Sequence, residues 1–102
     1  MAMASHKSIR VFPVDDSVIA REGIRAILGL DPALKVIGEA ATKADAVALS
    51  YQLKPDVVIM DLRLPDGSGI EACREILTAA PRTRILFFSA NHDIDAFNQA
   101  IG

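Results

Sequence analysis

The sequence predicts a three-layer α/β domain, a parallel sheet wound in two directions with helices on both faces. Three observations lead there. Short apolar runs alternate with segments of helical spacing four times over, the pattern of strands joined by helical crossovers. Two of the runs, Val57-Val58-Ile59-Met60 and Ile85-Leu86-Phe87-Phe88, have no polar interruption, as expected of strands covered on both faces. The chain has 102 residues, 51% apolar and 24% charged, which is globular composition with room for one domain.

Each element follows from local pattern. Residues 1–8 carry no periodicity and are set aside as a disordered tail or cloning remnant; 9–102 is expected to be the domain. Ile9 to Val14 reads as the first strand, although Pro13 cannot donate a ladder hydrogen bond, so either the strand ends there or a bulge absorbs it. Ser17 to Leu30 has helical spacing, with Ala20, Ile24, Ile27 and Leu28 on one stripe, and Asp31-Pro32 stops it. Leu34 to Gly38, interrupted by Lys35, suits an edge strand. Thr42 caps a helix to Leu53, with Asp45 at the capping-box position and Ala46, Leu49 and Leu53 facing inward. After the strand at 57–60 comes a loop, Arg63 to Gly67. Ser68 and Glu71 form a capping box for a third helix with the stripe Ile70, Cys73, Ile76 and Leu77. Asn91 caps a last helix carrying Ile94, Phe97 and Ile101.

Bulk properties exclude some classes of function. A net charge of −2 leaves no global basic field for nucleic acid or an anionic membrane. No apolar run approaches the roughly 20 residues of a membrane span. One cysteine, Cys73, forms no internal disulfide, which fits a reducing cytoplasm; its place on an apolar stripe makes it a small core residue.

In an open parallel sheet, ligands bind at the carboxyl ends of the strands. The first strand delivers Asp15-Asp16 there, the third Asp61 and the fourth Ser89. Glu39 follows the second strand, which an edge position holds farther off. Taken singly, each has a plain structural explanation. Asp15-Asp16-Ser17 serves as a helix cap, Asp61 starts a turn, Ser89 helps cap the last helix, and Glu39 and His92 sit in solvent. Taken together, three carboxylates on one rim repel one another, and a divalent cation relieves the repulsion. Carboxylates, carbonyls and water are hard oxygen ligands suited to Mg²⁺, an ion that shares substrate phosphate. Asp61, on the most buried strand, is then the best nucleophile for a phosphoryl group, with the paired acids holding metal.

Val14-Asp15-Asp16-Ser17, Asp61-Leu62-Arg63-Leu64-Pro65-Asp66-Gly67-Ser68-Gly69 and Phe88-Ser89-Ala90 together resemble the three signature segments of response-regulator receiver domains. The separations, 61 − 16 = 45 and 89 − 61 = 28 residues, suit that family. Arg21 to Leu28 further resembles the first helix of the NarL/FixJ (LuxR-type) subgroup. The resemblance implies a flavodoxin-like sheet of order 2-1-3-4, with Asp61 as phosphoacceptor. It also implies a metal site in which Asp16 and Asp61 ligate Mg²⁺ directly, Asp15 acts through water and Arg63 offers its backbone carbonyl. Ser89 would contact the phosphoryl group and shift when it arrives, and Arg63 and Asn91 would tune its loss. The donor would be a sensor histidine kinase. DNA would be reached only through an output domain outside these residues.

One departure stands beside the resemblance. Family members carry a fifth strand and helix, with a lysine after that strand. Here Lys7, Lys35, Lys43 and Lys54 all precede the fourth strand, and the chain ends at Gly102. The fifth unit is therefore expected to be missing by truncation, leaving the fourth strand as an open edge through which two copies could pair. Two other readings stay open: an interaction module that works without phosphate, and a small magnesium-dependent hydrolase. The latter commonly has an acid two residues after its nucleophile, where Arg63 stands here.

Overall fold

The computed structural model describes residues 8–88. The elements run β1 (Ile9–Val14), α1 (Val18–Leu28), β2 (Leu34–Val36), α2 (Lys43–Leu53), β3 (Val57–Asp61), β4 (Arg63–Leu64), β5 (Gly67–Ser68), α3 (Gly69–Ala79) and β6 (Arg84–Phe88). Four strands form a parallel sheet of order β2-β1-β3-β6. Right-handed crossovers that step one way and then the other put α1 on one face and α2 with α3 on the opposite face.

The core follows from that asymmetry. Phe12 and Val14 of β1 and Val58 and Met60 of β3 are buried, and they cluster with Ala46 of α2 and Ala72 and Ile76 of α3. The intervening residues face α1, whose single buried residue is Ile24. Val11 is buried on that side, whereas Val57 and Ile59 are half-buried.

Pro13 stays within β1, paired with Ile59. Its carbonyl accepts from Ala40 N, so its nitrogen points to the β2 side as well. It has no hydrogen to donate there. β2 ends at Val36 rather than Gly38, and pairing resumes only as the single bridge Val14–Ala40. The proline breaks its neighbour, not its own strand.

The N-caps form at the expected residues. Ser17 Oγ accepts from Ala20 N, and Thr42 Oγ1 from Asp45 N. Ser68 and Glu71 make both halves of the capping box. Four expectations are corrected. α1 ends at Leu28 and Ile27 faces solvent. In α3 the buried stripe is Gly69, Ala72 and Ile76, while Ile70 is exposed and Cys73 half-buried. The loop after Asp61 contains a small antiparallel hairpin, β4–β5. β6 is not buried on both faces: Leu86, Phe87 and Phe88 are exposed, because among the described residues only β3 flanks it. The last helix of the sequence reading lies outside the described residues.

Candidate functional site

β1 and β3 are parallel neighbours in the register Val14–Met60, so the residues that end them arrive on one rim. Asp15, Asp16 and Asp61 bring carboxylate oxygens within 4.8 Å of one another. Asp15 is 1% exposed and Asp61 2%, while Asp16 is open to solvent.

The two buried acids are held by their surroundings. Asp15 N donates to Ala40 O (3.0 Å), and Asp15 Oδ1 accepts from Ser17 N (2.8 Å), the start of α1. Asp15 Oδ2 is buried and accepts no hydrogen bond among the described residues. Asp61 Oδ1 accepts from Arg63 N (3.3 Å). Leu62 O accepts from Gly69 N (2.8 Å), which draws the start of α3 against the phosphoacceptor candidate.

Gly69 is needed for that approach. A Cβ there would lie 2.1 Å from Asp61 O and 2.9 Å from Met60 Cγ, far inside contact distance. The sequence carried a signal for it, a glycine at the first helical position where its backbone freedom is a cost.

Glu39 does not join the acidic group. It is not solvated either: its carboxylate takes Arg21 Nε at 2.8 Å and also Arg25 Nε. The Arg25 guanidinium, with Arg21 adding, holds the Glu39 carboxyl below the usual carboxylate range. Arg21 also donates through Nη1 to the Asp15 carbonyl, so the arginine braces the acid-bearing turn. Nothing in the spacing of Arg21 marks this role, since it requires three elements to meet.

The donor set fits a small hard dication. A buried carboxylate oxygen without a partner is costly, and three clustered acids multiply the cost; a cation in reach of all three offsets it. Three oxygen donors with one side open to water match Mg²⁺, which keeps part of its hydration. Ser89 and Asn91 lie outside the described residues. An open groove of about 810 Å³ lies at the opposite, amino end of the strands, lined by Tyr51, Pro55, Pro81 and Thr83 among others. It holds none of the clustered acids.

Residues 11–102 match the family model described as the response regulator receiver domain. The chain is 43% identical over 93 residues to the DNA-binding transcriptional activator DevR/DosR of Mycobacterium tuberculosis, covering 91% of this chain and 43% of that protein. It thus spans less than half the length of that curated relative. The response regulator domain of Thermotoga maritima CheB superposes with a TM-score of 0.78 at 38% identity, covering 90% of this chain and 72% of that one. A LuxR-family two-component response regulator from Aurantimonas gives 0.78 and 38%, covering 90% and 69%.

Proposed function

Because this chain belongs to the response regulator receiver domain family of two-component signalling, we propose that Asp61 is its phosphoacceptor and that the surrounding acids hold the Mg²⁺ on which the transfer depends. The observation that carries this is the meeting of Asp15, Asp16 and Asp61 on one rim, with Asp15 Oδ2 buried and without a hydrogen bond among the described residues. Asp16 and Asp61 would ligate the ion, Asp15 would reach it through water, and the Arg63 carbonyl would complete the protein's share. When bound, the ion supplies positive charge against the phosphoryl oxygens.

The chain's own residues do the rest. A carboxylate oxygen of Asp61 attacks phosphorus as the bond to the donor's imidazole nitrogen breaks, and that nitrogen keeps the electron pair. The buried setting of Asp61 restricts the approach to the rim, which favours in-line geometry. The Arg63 N–H on Asp61 Oδ1 orients the carboxylate. Ser89 would contact the phosphoryl group and shift on its arrival, and Arg63 and Asn91 would set how fast it is lost. The domain would in this way catalyse its own phosphorylation and dephosphorylation rather than turn over a separate substrate.

The donor would be a sensor histidine kinase, and a reducing cytoplasm suits the single thiol Cys73. DevR/DosR is described as a DNA-binding activator; control of a DNA-binding output domain is the corresponding role here. No helix among the described residues is long and apolar enough to cross a membrane. Self-association through β6 belongs to the same proposal, since Leu86, Phe87 and Phe88 stay exposed on that strand. A monomer mass by light scattering at high concentration overturns that part.

Incubation with Mg²⁺ and acetyl phosphate tests the central claim. Intact-mass spectrometry should show one added phosphoryl group, labile to hydroxylamine, absent without Mg²⁺ and absent in Asp61→Asn. No mass gain in the unsubstituted chain, or an equal gain in Asp61→Asn, overturns it.

A further inference from the structure

The hairpin β4–β5 leaves Asp61 after one residue and is too small to hold its own shape. It has two residue pairs, Arg63–Ser68 and Leu64–Gly67, and isolated two-stranded ribbons are marginal at best. Its base is fastened by the Arg63 N–H on Asp61 Oδ1 and by Gly69 N on Leu62 O. Leu64 anchors one side in the core. The tip, Pro65-Asp66, is exposed and belongs to no ladder.

A second element holds that tip. Asp66 Oδ1 accepts from Lys43 N (2.6 Å) and Asp66 Oδ2 from Ala44 N (3.0 Å), the first two amides of α2. Those amides have no acceptor within their own helix. The local cap, Thr42, satisfies only the third, Asp45 N. The N-terminus of α2 is therefore completed by a residue 22 and 23 positions along the chain. A carboxylate at the positive end of a helix, bonded through both oxygens, is a strong form of this contact. The Lys43 and Ala44 amides accordingly hold the Asp66 carboxyl below its ordinary range. Gly67 lies against the Lys43 side chain: a Cβ there would meet Lys43 Cδ at 2.8 Å.

We propose that Asp66 is a positioning residue for the phosphoacceptor loop: by clamping the hairpin tip to the first turn of α2, it fixes the Arg63 backbone beside Asp61. The inference rests on the function proposed above, because it concerns the same loop. The Asp66 carboxylate bonds the amides of α2, so its effect on the site would pass through the loop.

The Lys43 side chain provides an internal control. Its Nζ pairs with Glu75 (3.3 Å) and Glu71 (3.5 Å) of α3. Lys43→Ala removes those pairs but keeps the backbone amide that Asp66 uses. Asp66→Ala, Asp66→Asn and Lys43→Ala would be compared by calorimetric Mg²⁺ titration, by amide NMR shifts at Arg63 and Leu64, and by initial rates with acetyl phosphate, beside urea midpoints. Asp66→Ala should weaken Mg²⁺ binding roughly tenfold, the scale of supporting contacts behind metal ligands. Asp66→Asn, which keeps one acceptor oxygen, should fall between it and the unsubstituted chain. Lys43→Ala, which keeps the amide and loses only the side chain beside the hairpin, should cost clearly less Mg²⁺ affinity than Asp66→Ala, whatever it does to the urea midpoint. An Asp66→Ala affinity equal to that of the unsubstituted chain overturns the proposal. So does an equal loss in Lys43→Ala, which would point to general loosening of α2. If Asp66→Ala fails to fold, the contrast between Asp66→Asn and Lys43→Ala decides. An unsubstituted chain that binds no Mg²⁺ and takes no phosphate sinks the functional reading itself; one that does both while the Asp66 variants match it sinks only this inference.

Discussion

At Gly69 a single methyl group would collide with the Asp61 carbonyl, so side-chain size at one position sets how near α3 can come to the acid rim. Gly69→Ala should destabilise the fold by about 1–3 kcal/mol, the scale of overpacking a close contact. A urea titration checks it, and a midpoint equal to that of the unsubstituted chain would mean the backbone gives way freely. Asp16 poses the opposite case. It is exposed and adds charge to an already crowded pair. In the absence of Mg²⁺, Asp16→Asn should stabilise the fold by about 0.5–2 kcal/mol, as often happens when a site residue is released from its function. Under the proposed metal site, the ordering should reverse in excess Mg²⁺, because the unsubstituted chain gains more from binding in the folded state. Thermal melts with and without the ion measure both signs.

Among the elements, caps and ion pairs decide where helices start and how they attach. Ser68 bonds the amides of Ile70 and Glu71, and Glu71 returns the bond to Ser68 N. Ser68→Ala should cost about 1 kcal/mol, read as a lower urea midpoint with an unchanged slope. The group Arg21–Glu39–Arg25 ties α1 to the turn after β2. Glu39 has its carboxyl lowered from 4.5 by Arg25 first and Arg21 second. A lowered folded value means stability that is present above the unfolded value and lost as pH falls through the folded one. The stability difference between the unsubstituted chain and Glu39→Gln should therefore be present at neutral pH and disappear as the solution is acidified below 4.5. A partly exposed pair of this kind contributes about 0.2–1 kcal/mol, so the comparison needs low salt. A difference that grows on acidification would contradict the assignment.

At the scale of the molecule, one cluster carries most of the packing among the described residues. Phe12 lies fully buried on the sheet face shared by α2 and α3, with Val58, Met60 and Ile76. Phe12→Ala should cost about 3–5 kcal/mol, a large part of the roughly 5–15 kcal/mol by which domains are stable. The variant should melt far lower or fail to accumulate folded. The other face depends on α1, which buries only Ile24 and leaves Val18, Ile19 and Ile27 exposed. Substitutions of those three residues should accordingly matter far less than changes at Phe12.

The sequence by itself determined the order of strands and helices, the caps at Ser17, Thr42 and Ser68, and the placing of acids at strand ends. These features are decided within a few residues, by periodicity and by side chains that bond their own backbone. Only the tertiary structure decided which faces are covered: Ile27 and Ile70 fit their stripes, yet both stay exposed, with no element among the described residues over them. It alone brought Asp66 to the amides of α2 and Glu39 to two arginines. A backbone amide looks the same in every residue, and a partner some twenty positions away leaves no local trace. The acid rim was legible because parallel strands carry their ends to one side; the clamp on its loop was not, because it depends on where α2 happens to begin beside the hairpin.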